Sequence, residues 1–122
     1  MSKKCLIVDD VEVSRYVLRG HVEDLGFTVI EAEDAEHAEA ALMQGRFDII
    51  LLDWHLRHDS GLTFIEKIRK IEGALNVPIV VCSGVEQGDL LAVVKESGAQ
   101  GFLKKPVSQE ALSSELKRLG LL

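Results

Sequence analysis

The chain has 122 residues, of which 47% are hydrophobic and 28% are charged. This size and composition are typical of one soluble globular domain, so we expect a single domain over residues 1–122 and exclude disordered, collagen-like and low-complexity chains. Fourteen Lys and Arg residues against twenty Asp and Glu residues give a net charge of −6. An acidic chain repels nucleic acid and anionic lipid, and no apolar run approaches the ~20 residues that span a bilayer. We therefore expect a cytoplasmic protein with no nucleic acid or membrane partner.

Five short apolar runs predict five β-strands. Three of them, residues 5–8, 49–52 and 79–82, contain no alternation of polar and apolar residues. Strands of this kind are buried on both faces, as in parallel sheets that are covered by helices on each side. Two weaker runs, residues 27–30 and 101–103, predict strands at the edges of the same sheet.

Segments with the apolar spacing of helices separate and follow these runs. Their apolar residues are Val17, Leu18, Val22 and Leu25; Ala35, Ala38, Ala41 and Leu42; Phe64, Ile65, Ile68 and Ile71; Leu90, Val93 and Val94; and Leu112, Leu116 and Leu119. Four segments are followed by a glycine, which suits the left-handed backbone of many helix ends: Gly26, Gly45, Gly73 and Gly98. Asp34 and Ser108 stand where helix N-caps belong. The pattern predicts an α/β fold, a doubly wound (βα)5 three-layer sandwich around a five-stranded parallel sheet.

Polar side chains follow four of the five predicted strands. Asp9 and Asp10 follow the first strand, Asp53 the third, Ser83 the fourth and Lys105 the fifth, whereas no obvious chemical group ends the second. Ligands bind beyond the carboxyl ends of the strands in open α/β sheets. We therefore expect these side chains to share one site.

Each of these residues also has a purely structural interpretation. Asp9 or Asp10 could cap the first helix, Asp53 could end a strand, Ser83 could lie in a turn and Lys105 could be a solvated surface residue. The combination is harder to explain in this way, because two unit charges ~4.5 Å apart repel by about 4 kcal/mol at an effective dielectric constant of about 20. A cation or a shared proton must relieve that repulsion. A small set of oxygen ligands with room for water favours Mg²⁺.

Five motifs between residues 5 and 119 form a recognisable set: Asp9-Asp10, Asp53-Trp54, Gly61-Leu62, Ser83-Gly84, and Gly-Phe-Leu-Lys-Lys-Pro over residues 101–106. The chain that carries them resembles the response-regulator receiver domains, and closely the stand-alone chemotaxis regulators of the CheY type. The intervals of 30 residues from Asp53 to Ser83 and 22 residues from Ser83 to Lys105 fit that family. The resemblance implies the strand order 2-1-3-4-5, in which Cys5 and Cys82 lie too far apart for a disulfide.

The resemblance implies that Asp53 is a nucleophile, which accepts a phosphoryl group from a phosphohistidine on a sensor histidine kinase or a histidine phosphotransfer protein. It also implies that Asp10, Asp53 and the backbone carbonyl of His55 hold Mg²⁺, with Asp9 reaching the ion directly or through water. The metal would neutralise charge on the transferring phosphoryl oxygens. The His55 imidazole stands where the family tunes hydrolysis of the acyl phosphate, although an exposed loop histidine would look the same.

The same resemblance implies a switch. Lys105 directly precedes Pro106 in a bond that is often cis in this family, and would pair with a phosphoryl oxygen. Ser83 would donate a hydrogen bond to another phosphoryl oxygen, and Phe102 would turn inward. The changed surface of the fourth helix, fifth strand and fifth helix would then bind a downstream target protein, such as a flagellar motor switch or another protein. We expect the chain to be a monomer.

Other functions fit only part of this pattern. A small aspartyl-phosphate phosphatase could use Asp53 as a nucleophile that turns over, but such enzymes usually have a second acid where this chain has His55. A receiver could also be a phosphate sink or a relay intermediate without direct output.

A flavin carrier is disfavoured because the acids after the first strand would repel its phosphate. A Zn²⁺ site at Asp53, His55, His58 and Asp59 would lack cysteine ligands. We expect no enzymatic activity beyond self-phosphorylation and autodephosphorylation.

Overall fold

The computed structural model describes residues 3–56, 60–71, 74, 76–84 and 88–122, with only the backbone described over 88–91. Within these ranges strands and helices alternate in the order β1 (Lys4–Val8), α1 (Glu12–Asp24), β2 (Thr28–Ala32), α2 (Ala35–Gln44), β3 (Ile49–Asp53), α3 (Gly61–Ile68), β4 (Ile79–Ser83), α4 (Gly88–Glu96), β5 (Gly101–Lys104) and α5 (Gln109–Arg118). The strands form one parallel sheet in the order β2-β1-β3-β4-β5. The predicted doubly wound α/β fold is confirmed, with the two weaker apolar runs at the edges.

Two apolar cores lie on opposite faces of the sheet. Because successive side chains of a strand point to opposite faces, each uninterrupted apolar run contributes to both cores. Leu6 and Phe64 belong to the core that joins the sheet to α2, α3 and α4. Ile7, Val22 and Leu112 belong to the core that joins the sheet to α1 and α5. The sheet is therefore the middle layer of three, as predicted.

The predicted N-caps of α2 and α5 are confirmed. Asp34 accepts a hydrogen bond from the backbone N–H of His37 at 2.8 Å, and Ser108 accepts one from the N–H of Ala111 at 3.1 Å. Each side chain satisfies one of the N–H groups that a helix leaves unpaired in its first turn.

The predicted glycine positions have a mixed outcome. Gly26 and Gly98 have φ values of +94° and +101°, which is the left-handed region that glycine adopts without steric strain. Gly45 is the C-cap residue of α2, as predicted, but its φ of −167° is extended backbone that other residues also adopt. Gly73 lies outside the described residues.

Two residues of the predicted helix stripes face solvent. Val17 and Val93 are 45% and 43% exposed, because the buried sides of their helices run through Leu18 in α1 and Val94 in α4. The side chain of Leu90 lies outside the described part of the chain. No helix within the described ranges is both long and apolar enough to cross a membrane.

The second strand is longer and more polar than predicted. It continues to Ala32, and three of its five residues are exposed because β2 is an edge strand. Its Glu31 carboxylate accepts hydrogen bonds from Arg15 at 3.2 Å and from Arg19 at 2.6 Å. The expectation that no chemical group lies at the end of this strand is therefore wrong.

Both cysteines are buried thiols without a disulfide, as predicted. Cys5 lies in β1 and Cys82 in β4, and β3 separates these two strands. Burial raises the pKa of Cys82 to about 12 and also raises that of Cys5 above the ordinary thiol value. Because the thiolate is the reactive form, neither side chain is a nucleophile at neutral pH.

Gly20 and Gly26 provide a matched test of backbone conformation. No atom lies within 4 Å of the position that a Cβ would occupy at either residue, but only Gly26 of the two has a positive φ. We expect Gly20→Ala to raise the free energy of unfolding by about 1 kcal/mol, because alanine favours the helix and restricts the unfolded chain. Gly26→Ala is expected to lower it by about 1 kcal/mol or more, because the left-handed backbone strains an L side chain. Chemical denaturation measures both values, and changes of the same sign would contradict this prediction.

Candidate functional site

Three carboxylates meet at the carboxyl end of the sheet. Asp9 directly follows β1, and Asp53 ends the neighbouring strand β3, where Val8 and Leu52 are paired in register. One carboxylate oxygen from each of Asp9, Asp10 and Asp53 lies within 4.8 Å of the others. We call these three residues the acidic cluster. Asp9 is fully buried and Asp53 is 7% exposed, so water screens their mutual repulsion poorly.

Asp9 is held by hydrogen bonds to both of its carboxylate oxygens. Oδ1 accepts the backbone N–H of Val11 at 2.9 Å, and Oδ2 accepts the Ser14 hydroxyl at 2.6 Å and the Lys105 ammonium at 2.7 Å. The Arg15 guanidinium also donates to the Asp9 backbone carbonyl at 2.7 Å. The N-cap residue of α1 is Val11, whose side chain accepts no capping hydrogen bond. Asp9 therefore organises the start of the helix without being its N-cap.

Lys105 brings a positive charge into the acidic cluster. Its backbone N–H donates to the carbonyl of Ser83 at 2.8 Å, and the bond to Pro106 is cis. Its Nζ lies 2.7 Å from Asp9 Oδ2 and 3.6 Å from Asp53 Oδ2. Burial disfavours the ammonium, but the hydrogen bond to Asp9 and the charge of Asp53 outweigh burial, so the pKa of Lys105 is raised. The lysine stays charged at neutral pH.

The environment of Asp53 disfavours its negative charge. Burial raises the pKa of this carboxyl, and the charges of Asp9 and Asp10 raise it further, against the lowering effect of the His55 N–H and the Lys105 ammonium. The His55 N–H donates to Asp53 Oδ1 at 3.2 Å. Three carboxylates against the single ammonium of Lys105 leave this cluster with excess negative charge. A cation at this site would be favoured.

The other predicted site residues lie around this cluster. Ser83 is fully buried at the end of β4, directly after Cys82, which is the register partner of Asp53. The side chain of His55 is exposed. Phe102 is only 8% exposed and already packs in the core shared with α3 and α4. His58 and Asp59 of the alternative Zn²⁺ site lie outside the described residues.

Ser14 and Arg15 are missing from the predicted site although both contact Asp9. They occupy the first turn of α1, where a side chain can reach back to the loop that precedes the helix. A hydroxyl and a guanidinium within one helical turn of paired aspartates is the sequence signal that would have indicated them.

Trp54 explains the glycine of the Gly61-Leu62 motif. Its carbonyl accepts the N–H of Gly61 at 2.9 Å, and its own N–H donates to Cys82 at 3.1 Å. A Cβ at Gly61 would stand 2.9 Å from Cδ2 of the indole and collide with its Cε3. The indole, which is 8% exposed, is thus packed directly on the α3 N-terminus.

Gly61→Ala tests this contact. The added methyl group must displace the indole of Trp54 or shift the start of α3, so we expect a loss of about 1–3 kcal/mol in the free energy of unfolding. The tryptophan fluorescence of the folded variant should also change, because this is the single tryptophan of the chain. Unchanged stability together with an unchanged emission spectrum would contradict the contact.

A second group of potential metal ligands follows β2. Side-chain ligand atoms of Glu33, Asp34 and His37 lie within 4.8 Å of one another. His37 Nδ1 lies 2.6 Å from Asp34 Oδ1, and this hydrogen bond raises the pKa of the imidazole. Because Asp34 is also the N-cap of α2, helix capping accounts for this arrangement.

The chain is similar to known proteins over nearly its whole length. The family model described as the response regulator receiver domain matches residues 5–117. The chemotaxis protein CheY of Pseudomonas aeruginosa is 27% identical over 117 residues, which cover 95% of this chain and 94% of that protein.

Solved structures share the fold over nearly the whole chain. The chemotaxis protein CheY4 of Vibrio cholerae superimposes with a TM-score of 0.90 at 29% identity, covering 97% of this chain and 98% of that one. The receiver domain of the sensor histidine kinase PA1611 from Pseudomonas aeruginosa, which has a magnesium ion coordinated in its active site cleft, has a TM-score of 0.87 at 25% identity and 97% coverage of both chains. With its fold, its acidic cluster and these matches, the chain belongs to the response regulator receiver domain family of two-component signalling.

Proposed function

We propose that Asp53 accepts a phosphoryl group from a phosphohistidine in a Mg²⁺-dependent reaction, and that the modified chain signals by binding another protein. One observation carries this proposal. Asp53 lies at the end of the central strand β3, within 4.8 Å of the Asp9 and Asp10 carboxylates and 3.6 Å from the Lys105 ammonium. A nucleophile, metal ligands and a cation for the phosphoryl oxygens are thus available in one place.

The sheet prepares Asp53 for attack. β1 and β4 pair with β3 on its two sides, and the His55 N–H holds Oδ1 of the carboxylate at 3.2 Å. In the transfer a carboxylate oxygen forms a bond to phosphorus, while the P–N bond of the phosphohistidine breaks and its electron pair stays on the imidazole. A carboxylate that is already fixed in position loses little entropy in reaching this geometry.

The side chains of the acidic cluster fit Mg²⁺. Carboxylate and carbonyl oxygens are the ligands that this ion prefers, and the Lys105 ammonium leaves the cluster with excess negative charge. Asp10, Asp53 and the His55 carbonyl would hold the ion, whereas Asp9, whose carboxylate already accepts three hydrogen bonds, would reach it through water. The bound ion would neutralise charge on the transferring phosphoryl oxygens. The magnesium ion in the PA1611 receiver domain supports this assignment.

The switch would begin at Ser83 and Lys105. Ser83 would donate its hydroxyl to one phosphoryl oxygen, and Lys105 would pair with another. The loop at 85–87, which the hydroxyl would draw inward, lies outside the described residues. Phe102 is already buried in the unmodified chain, and a turn of its ring on phosphorylation is a prediction. The output surface would be formed by α4, β5 and α5.

Receiver domains work with histidine kinases and with downstream targets. For this chain we propose a sensor histidine kinase or a histidine phosphotransfer protein as the phosphoryl donor and a flagellar motor switch or another protein as the target. The similarity to chemotaxis proteins favours the motor. Affinity capture with and without beryllofluoride, which mimics the acyl phosphate, would separate targets that bind only the modified state from constant partners.

A switch and a phosphatase differ in stoichiometry. We propose that the chain is not an enzyme that turns over a separate substrate, because His55 stands where an aspartyl phosphatase places its second acid. Incubation with acetyl phosphate and Mg²⁺ should label each chain once and then consume substrate only as slowly as the acyl phosphate hydrolyses. Rapid release of many phosphates per chain would favour the phosphatase instead.

A further inference from the structure

Two donors share a single buried oxygen in the acidic cluster. Asp9 Oδ2 accepts the Ser14 hydroxyl at 2.6 Å and the Lys105 ammonium at 2.7 Å, while Oδ1 accepts the Val11 N–H. The Asp9 side chain is fully buried. A carboxylate oxygen commonly accepts two hydrogen bonds, so Ser14 and Lys105 together fill the accepting capacity of Oδ2.

Lys105 is the donor that can leave. Its Nζ already lies between two carboxylates, 2.7 Å from Asp9 Oδ2 and 3.6 Å from Asp53 Oδ2. When Asp53 gains a phosphoryl group, the negative charge on that side increases and attracts the ammonium more strongly than a single carboxylate does. The departure of Lys105 would then remove one of the two donors from Asp9.

Ser14 is the donor that stays. It lies in the first turn of α1, where its backbone is fixed by the helix, and its hydroxyl points at Oδ2. We infer that Ser14 is a positioning residue, whose hydroxyl keeps Asp9 Oδ2 hydrogen-bonded while the Lys105 ammonium turns to the phosphoryl group on Asp53. This role rests on the proposed function of Asp53.

Hydrogen bonds hold the backbone of Asp9 in place. The Asp9 N–H donates to the Ala32 carbonyl at 3.1 Å, and the Asp9 carbonyl accepts the Arg15 guanidinium at 2.7 Å. The carboxylate therefore cannot move with its main chain to find a new donor. A buried charged oxygen that loses its donors is strongly disfavoured, and a water bound to Mg²⁺ would replace at most one of them, so loss of the Ser14 hydroxyl should disfavour the state in which Lys105 has left.

Beryllofluoride binding tests this role. We expect Ser14→Ala to bind beryllofluoride in the presence of Mg²⁺ on the order of tenfold more weakly than the wild-type chain, and Ser14→Thr, which keeps a hydroxyl, to bind within about twofold of wild type. The fluorescence of Trp54 reports the binding. Ser108→Ala, which removes the N-cap hydroxyl of α5, is the control for a general loss of stability and should bind normally.

A double-mutant cycle tests the shared oxygen without any metal or phosphate mimic. Lys105→Met removes the ammonium but keeps a long aliphatic side chain, so Oδ2 then depends on Ser14. We expect Ser14→Ala to shift the unfolding equilibrium about tenfold further in the Lys105→Met background than in the wild-type background. Equal shifts in both backgrounds would overturn the inference.

Beryllofluoride binding separates a failure of the proposed function of Asp53 from a failure of the proposed role of Ser14. If the wild-type chain does not bind beryllofluoride at all, the proposed function of Asp53 is wrong. If the wild-type chain binds it and Ser14→Ala binds it equally well, the proposed function stands and the role of Ser14 is overturned.

Discussion

Asp53→Asn is expected to abolish labelling by acetyl phosphate while leaving the fold intact. An amide has no carboxylate oxygen to attack phosphorus and cannot form the acyl phosphate. The substitution keeps the size of the side chain at the end of β3, so the paired strands on both sides should be unaffected. Intact-protein mass spectrometry measures the labelling, and circular dichroism measures the fold.

Asp34→Asn is a matched control for this variant. It also replaces a carboxylate by an amide, and asparagine serves as well as aspartate at a helix N-cap such as the one in α2. We expect this control to be labelled as the wild-type chain is. Undiminished labelling of Asp53→Asn would assign the phosphoryl group to another residue and refute the proposed nucleophile.

Asp53→Asn should also be more stable than the wild-type chain at neutral pH. Burial and the neighbouring charges of Asp9 and Asp10 raise the pKa of Asp53 in the folded chain. The protonated carboxyl therefore contributes its full stabilisation only below its ordinary pKa of about 4. This stabilisation is lost as the pH rises through the higher pKa that the carboxyl has in the folded chain. Removing the charge should then raise the free energy of unfolding at neutral pH by on the order of 1 kcal/mol. Denaturation at several pH values checks this, because the gain must disappear toward acidic pH; an equal gain at all pH values would contradict it.

The edge of the sheet that carries the acidic cluster could be predicted because it depends on strand direction alone. Asp9 and Asp53 each end or follow an uninterrupted apolar run, and parallel strands place such residues at one edge of the sheet. Lys105 follows a fifth run and reaches the same edge. The resemblance of the motifs to a known family supplied the strand order and the roles, which periodicity cannot provide.

Side-chain contacts across the first turn of α1 could not be predicted in the same way. Whether Ser14 points at Asp9 or at solvent depends on its rotamer and on the path of the preceding loop, and neither leaves a trace in apolar spacing. Val17 shows a related limit of prediction. It was predicted to lie on the apolar side of its helix but is exposed, because one position along a helix can separate a buried residue from an exposed one.

Edge strands were the least predictable part of the fold. β2 has one neighbour in the sheet and an exposed face that carries Glu31. A search for continuous apolar runs stops at the first acidic residue and therefore ends this strand two residues early. A half-buried strand carries polar residues on its exposed face, so the length of an apolar run underestimates the length of the strand.

Mg²⁺ titration should change the fluorescence of Trp54 in the wild-type chain. The indole belongs to the residue after Asp53 and is the single tryptophan of the sequence, so a divalent ion at the acidic cluster alters its electrostatic surroundings. Asp10→Asn removes one negative charge from the cluster. Since one charge at ~4 Å is worth about 4 kcal/mol at an effective dielectric constant of about 20, we expect the variant to bind Mg²⁺ at least on the order of a hundredfold more weakly.

The control for this titration must separate a specific site from general screening. The chain carries a net charge of −6, so any salt reduces its repulsion. Sodium chloride at matched ionic strength should leave the Trp54 signal unchanged, and the Asp34→Asn variant, altered in the exposed acidic group after β2, should titrate as the wild type does. A Mg²⁺ response that survives Asp10→Asn, or that sodium chloride reproduces, would show that the ion does not bind at the acidic cluster.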